Sequence, residues 1–150
     1  MNLPYETATA GDKALVELQK TLQKWGCASF GTAVDVERGM TIVSFKWRDR
    51  VVKLEASWNG YAQALVRKRY GTQRVYDQRR RKAQDDAALE QARISVCSVL
   101  RDWTKAQITA VEAGVMSFEA AFMPHMLLRD GRRVLDAAQQ ANLLPAPEEQ

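Results

Sequence analysis

Between Thr41 and Ala56 apolar and polar side chains alternate with a period of two, and this stretch restricts the fold more than any other. Thr41, Val43, Phe45 and Trp47 fall on one side of an extended segment, and Ser44, Lys46 and Arg48 on the other. In the next segment Val52, Leu54 and Ala56 oppose Val51, Lys53 and Glu55. A helix would scatter these residues around its circumference, whereas two antiparallel strands place the apolar ones on one covered face. Phe30, Val34 and Val36 extend the pattern to a first strand over 30–37. A tight turn at Arg38 and Gly39 is expected to set Val36 opposite Thr41 and Val34 opposite Val43. A second, at Asp49 and Arg50, is expected to set Trp47 opposite Val52 and Phe45 opposite Leu54. That register brings Lys46 against Lys53, a like-charged pair marking either an anion-facing surface or an ordinary exposed sheet face.

The flanking stretches switch to helical spacing. Leu15, Leu18, Leu22 and Trp25 recur at three and four, which predicts a helix over 12–25, with Asp12 either capping its exposed amides or sitting in its first turn and Gly26 as its stop. Asn59 is the expected cap of a helix reaching Tyr70, with Ala62, Leu65 and Val66 inward and Gly71 ending it; Trp58 stands at the junction to seal the core. From Asp77 a long helical pattern runs through Leu89, Ile94, Cys97, Leu100, Trp103, Ile108, Val111, Val115, Phe118 and Phe122 until Pro124. Its length calls for a hinge near 102–104 or a bend at Gly114. Its apolar face is wider than a small sheet covers, so it predicts packing on other helices, within the chain or across a homo-oligomer. Residues 126–134 read as a hairpin turning at Asp130 and Gly131, followed by a short helix over 135–141; the two chain ends read as an irregular arm and a frayed tail. The expected fold is α+β: a three-stranded antiparallel sheet packed by helices and followed by long C-terminal helices. Residues 1–71 form a helix–sheet–helix module in this reading, and 72–150 a basic segment and helical oligomerisation region.

The net charge of +4 is modest for 150 residues, but it is concentrated. Arg67, Lys68, Arg69, Arg74, Arg79, Arg80, Arg81 and Lys82 lie in one stretch with a single acid, Asp77, so this stretch carries +7 and the rest of the chain −3. Such a segment attracts an anionic partner, and arginine donates bidentate hydrogen bonds to phosphate. The plain alternative is a solvated connector, and the last-turn position of Arg67, Lys68 and Arg69 suits a helix dipole whatever their function. Lys46, Arg48 and Lys53 are candidates to extend a phosphate-binding surface. Tyr70 and Tyr76 are embedded in the basic region, either as stacking platforms or as buried rings.

Catalytic patterns are absent from the sequence. Cys27, Cys97 and His125 provide neither a disulfide framework nor a zinc ligand set, and no Gly-rich phosphate loop or nucleophile elbow occurs. Glu112 and Glu119 share one side of the predicted helix; interfacial pairing or partial exposure is the simpler reading, and a paired acid site with a second subunit the alternative. Asp85 and Asp86 are expected to balance Arg81 and Lys82 on neighbouring turns. No apolar run is long enough to span a membrane, and the first ten residues lack a basic-then-apolar leader. The expectation is a nonenzymatic protein without metal or cofactor, located in a reducing cytoplasm.

The expected order of helix, three antiparallel strands and helix resembles the layout of a double-stranded RNA-binding domain in topology alone. The lysines that resemblance would require at the start of the second helix are replaced by Asn59-Gly60-Tyr61-Ala62, so no RNA-binding residues carry over. A second resemblance covers most of the chain. The stretch 92–122 (ARISVCSVLRDWTKAQITAVEAGVMSFEAAF), the stretch 126–135 (MLLRDGRRVL), Gly11 to Leu15 and Cys27 to Val36 resemble small uncharacterised proteins of tailed bacteriophages and prophages. That resemblance implies a setting in the bacterial host cytoplasm and transfers no binding residues. Together these features predict a nucleic-acid-binding protein in phage DNA metabolism or regulation, with DNA or RNA as partner. The alternative is an inhibitor or adaptor of a host defence or replication protein, using the basic patch against an acidic surface or the apolar helices against the partner.

Overall fold

The computed structural model describes residues 2–71 and 76–148. Its elements follow the order α1 (Gly11–Trp25), β1 (Ser29–Asp35), β2 (Met40–Trp47), β3 (Arg50–Ser57), α2 (Trp58–Tyr70), α3 (Gln78–Glu112), α4 (Phe118–Phe122), a 3-10 turn (Met123–His125) and α5 (Val134–Gln140). The three strands form one antiparallel sheet in the order β1-β2-β3, so the fold is α+β.

Both hairpins pair two residues away from the sequence expectation. Val34 lies opposite Thr41 and Thr32 opposite Val43; Phe45 lies opposite Val52 and Trp47 opposite Arg50. The turns explain the shift. The first connection takes the four residues 36–39, where Asp35 Oδ1 accepts the Arg38 amide at 2.9 Å and Gly39 adopts φ +63°. The second takes Arg48 and Asp49, both with positive φ (46° and 65°), the conformation that matches strand twist in a two-residue hairpin. A slip of two leaves every residue on its expected face, so Thr41, Val43, Phe45, Val52 and Leu54 are buried. It does separate the expected lysine pair: Lys46 faces Val51 and Lys53 faces Ser44.

The first strand departs from expectation in burial. Phe30 and Val34 stand opposite Phe45 and Thr41 on the inner face, yet they stay 37% and 51% exposed, and Val36 is exposed in the turn. The helices cover the sheet from β2 to β3 more completely than its β1 edge.

Helix α1 starts one residue before Asp12, which sits in the first turn, and ends on Gly26 at φ +95°. Ser57, not Asn59, caps α2: its side chain accepts the Gly60 amide at 3.2 Å, because the helix begins at Trp58, directly after the strand. Asn59 instead packs on the Gly39 turn. Trp58 is buried as expected, and its indole donates to Thr41 Oγ1 at 2.8 Å. Asp77 caps α3, accepting the amides of Arg79 and Arg80 at 2.9 and 3.4 Å. The expected hinge at 102–104 does not occur, since α3 runs unbroken to Glu112. The break falls at Gly114, with φ +71°. Glu112 and Glu119 are thereby placed on different helices, and Glu119 lies 3.8 Å from Arg50.

Helices α1 and α2 each pack against α3, which also touches β2 and β3. The apolar face of α3 is therefore covered within the chain: Ala92, Val96, Leu100 and Ile108 join Leu18, Leu22, Val43, Phe45, Leu54, Trp58 and Phe122 in one core cluster. That cluster draws on both sides of residue 71, so the two expected segments share a core. Within the apolar run 94–122 on which self-association was expected to rest, Val99, Val115 and Met116 stay exposed. The C-terminal hairpin forms as expected, with Leu127 bridged to Arg133, and Met126 bridged to Val52 along the outer edge of β3. The N-terminal arm has no regular structure but is tied down: Tyr61 donates to the Pro4 carbonyl, Ser95 to the Tyr5 carbonyl at 2.8 Å, and Gln91 to the Ala8 carbonyl at 2.9 Å.

Candidate nucleic-acid interface

The basic stretch is folded back on itself. Arg67, Lys68 and Arg69 occupy the last turn of α2, while Arg79, Arg80, Arg81 and Lys82 occupy the first turns of α3. The two helices pack together, and residues 59, 62, 63, 66 and 67 of α2 line a groove with 85, 86 and 89 of α3. Their antiparallel pairing brings the two basic runs to the same tip, with all seven residues exposed. Arg74 lies outside the described residues. Tyr76 is fully exposed, which removes burial as its role, and Tyr70 is half-buried.

Two contacts fix where this tip points. Arg93 sits 5.0 Å over the Trp58 ring, level with the sheet end that carries Gly39 and Ser57. Ten residues on, Trp103 meets Phe122 edge-on at 5.9 Å, and Phe122 meets Phe45 at 5.5 Å, toward the other end of the strands. At 1.5 Å per residue, Arg79 to Lys82 project about 16–21 Å beyond Arg93, away from the sheet. Arg48 lies at the opposite end of the molecule, with about 35 Å of helix separating the level of Arg80 from that of Trp103. Lys46 and Arg48 therefore do not join the tip. The Arg48 guanidinium rests 4.4 Å from the Trp47 ring, and Lys53 Nζ lies 3.5 Å from Glu55. Glu55 also pairs with Arg38 at 3.1 Å and Arg133 at 3.5 Å, and Arg133 with Asp136 at 2.9 Å, so Lys53 belongs to a local ion-pair network under α5.

The tip is less positive than the sequence segment alone. Lys68 is ion-paired with Glu6 of the N-terminal arm, and Asp85 and Asp86 line the groove beside Arg67. The groove measures about 590 Å³ and has Ala62, Val66 and Leu89 among its walls. The Glu6–Lys68 pair has no local sequence signal, because it joins residues 62 apart.

Away from the tip, burial shifts both thiols and the imidazole toward their neutral forms. Burial pushes the Cys27 thiol up to about 11 and raises the Cys97 thiol as well. His125 packs edge-on to Trp103 at 5.4 Å, and burial, with Arg133 nearby, lowers its pKa. Among the described residues no group of three or more His, Cys, Asp or Glu side chains is arranged to hold a metal ion, and no helix is long and apolar enough to cross a membrane. Comparison with known proteins adds no relative: no family model, curated protein or solved structure matches this chain.

Proposed function

We propose that this chain is a nonenzymatic nucleic-acid-binding protein that acts, as its resemblance to phage proteins suggests, in phage DNA metabolism or regulation in the cytoplasm of a bacterial host. One observation carries the reading: the two ends of the basic stretch, carried on α2 and α3, meet at the exposed tip of a helix pair that projects from the core. Arg79, Arg80, Arg81 and Lys82 make the principal phosphate contacts, with Arg67 and Arg69 beside them and Tyr76 free to stack on a base. Contacts of this kind give affinity and position without reading sequence. Lys46 and Arg48 lie too far from the tip to share one short binding site with it, and Lys53 is engaged by Glu55.

The second reading is an inhibitor or adaptor for a host protein, favoured by the groove between α2 and α3. Its apolar walls, acidic side chains and single arginine suit a protein segment better than a phosphate backbone. Purified protein, titrated at low salt into labelled DNA and RNA of mixed sequence, separates the two. Binding to many sequences alike supports the first reading. A folded protein that binds neither nucleic acid overturns it in favour of the second.

A further inference from the structure

The two edges of the sheet are treated differently. Beyond β3 the edge is covered by Met126 and Leu127, the latter donating its amide to the Val51 carbonyl at 2.8 Å. Beyond β1, among the described residues, no strand or bridge pairs. The exposed strand reads Ser29-Phe30-Gly31-Thr32-Ala33-Val34-Asp35. It lacks the usual protections of an open edge: there is no lysine and no proline, and its pairing with β2 is continuous over all seven residues. Its large inner-face side chains, Phe30 and Val34, are left partly uncovered by the helices.

The geometry points to a second copy of this chain as the occupant, paired antiparallel through β1 so that two three-stranded sheets become one of six strands. Only every second residue of an edge strand directs its amide and carbonyl outward, so a two-fold pairing must centre on a residue rather than between two. Centring on Thr32 pairs all seven residues. Phe30 then faces Val34 of the other copy, and Val34 faces its Phe30; Thr32 meets Thr32, Gly31 meets Ala33, and Ser29 meets Asp35. Large apolar residues meet each other and no like charges are opposed, so the segment is complementary to itself. Val34 also borders a groove of about 320 Å³ between α1, α3 and the sheet, with Leu15, Thr41, Ile94 and Cys97 in its lining. The incoming phenylalanine, about 5 Å from Val34 between Cβ atoms, covers the mouth of that groove. A seven-residue ladder is small for a stable interface, which places the dimer in the micromolar range. This pairing is independent of the nucleic-acid reading, because β1 contributes nothing to the basic tip.

Sedimentation equilibrium of the full chain across low to high micromolar protein tests it, together with two variants. The wild type is expected to pass from 16.9 kDa toward twice that mass. Gly31→Asp combined with Ala33→Asp opposes like charges twice across the ladder, while the monomer has room for the change: both residues are exposed, and a Cβ at Gly31 meets nothing within 4 Å. This variant should keep its circular-dichroism spectrum and weaken dimerisation by at least about tenfold. Thr32→Cys lies on the two-fold axis, where opposed Cα atoms are close enough for a disulfide, so mild oxidation should give a covalent dimer that the wild type, with its own cysteines, does not form. A wild-type monomer throughout the range, a dimer indifferent to the two aspartates, or no covalent dimer from Thr32→Cys would each overturn the pairing. Should the aspartate variant unfold, the cross-link and the wild-type mass still decide.

Discussion

At the residue scale, the end of the core away from the basic tip rests on a stack of rings. Trp47 lies between Trp25, stacked at 4.6 Å, and Phe118, stacked at 4.7 Å, and thereby joins α1, the sheet and α4. Trp47→Ala is expected to cost about 3 kcal/mol, since the cavity opens between three elements at once. Lys53→Ala should cost under about 1 kcal/mol, because Glu55 keeps Arg38 and Arg133 when the lysine is removed. Chemical denaturation compares the two; equal effects would show that the register or facing of the sheet is wrong. His125 supplies a pH signature. Its folded pKa lies below the ordinary 6.5, so between that value and the folded one the unfolded chain binds more protons. Stability contributed by the neutral imidazole is therefore present above pH 6.5 and declines as the pH falls below it. The melting temperature should drop over that interval, and His125→Phe should flatten the drop; an unchanged slope in the variant would exclude His125 as its source.

At the element scale, local chemistry made most of the fold legible and tertiary contacts decided the rest. Period-two alternation identified β2 and β3 and their buried faces, and Gly26, Gly71 and Asp77 marked helix ends where the chain uses them. The register was harder to read, because a shift of two leaves every side chain on its face; only the positive φ of Arg48 and Asp49 distinguishes the true turn, and neither residue is a glycine. The apolar pattern of β1 resembles that of a covered strand, and its exposure reflects where α1 and α3 settle rather than anything in 29–35 itself. The unbroken α3 is stabilised by partners on several sides, so its length did not require the hinge at 102–104. The cap of α2 gives a direct check. Ser57→Ala should cost about 1 kcal/mol by leaving the Gly60 amide without its acceptor, whereas Asn59→Ala should leave that hydrogen bond intact. Thermal unfolding of both variants assigns the cap to the residue with the larger loss.

At the scale of the whole molecule, charge is polarised along α3. The helix carries basic residues at its projecting start and packs its later turns into the core, so the proposed binding surface and the core lie at opposite ends of one element. The basic residues of the tip were legible in the sequence as a single run. Their separation from Arg48 was not, because it depends on the direction α3 takes past Trp58 and Trp103. The most direct measurement is the salt dependence of binding to a short DNA duplex, followed by fluorescence anisotropy. Two variants are compared with the wild type: Arg79, Arg80, Arg81 and Lys82 all to Ala, and Lys46, Arg48 and Lys53 all to Ala. Each phosphate that is no longer neutralised takes slightly under one from the logarithmic slope, so the first variant should lose up to about 4 and bind weakly to every sequence. The second should keep the wild-type slope, since Lys46 and Arg48 lie toward the opposite end of the sheet and Lys53 is paired with Glu55. Equal losses in both variants, or a wild-type slope retained when the tip is stripped of its charges, would contradict the assignment of nucleic-acid binding to the α2–α3 tip.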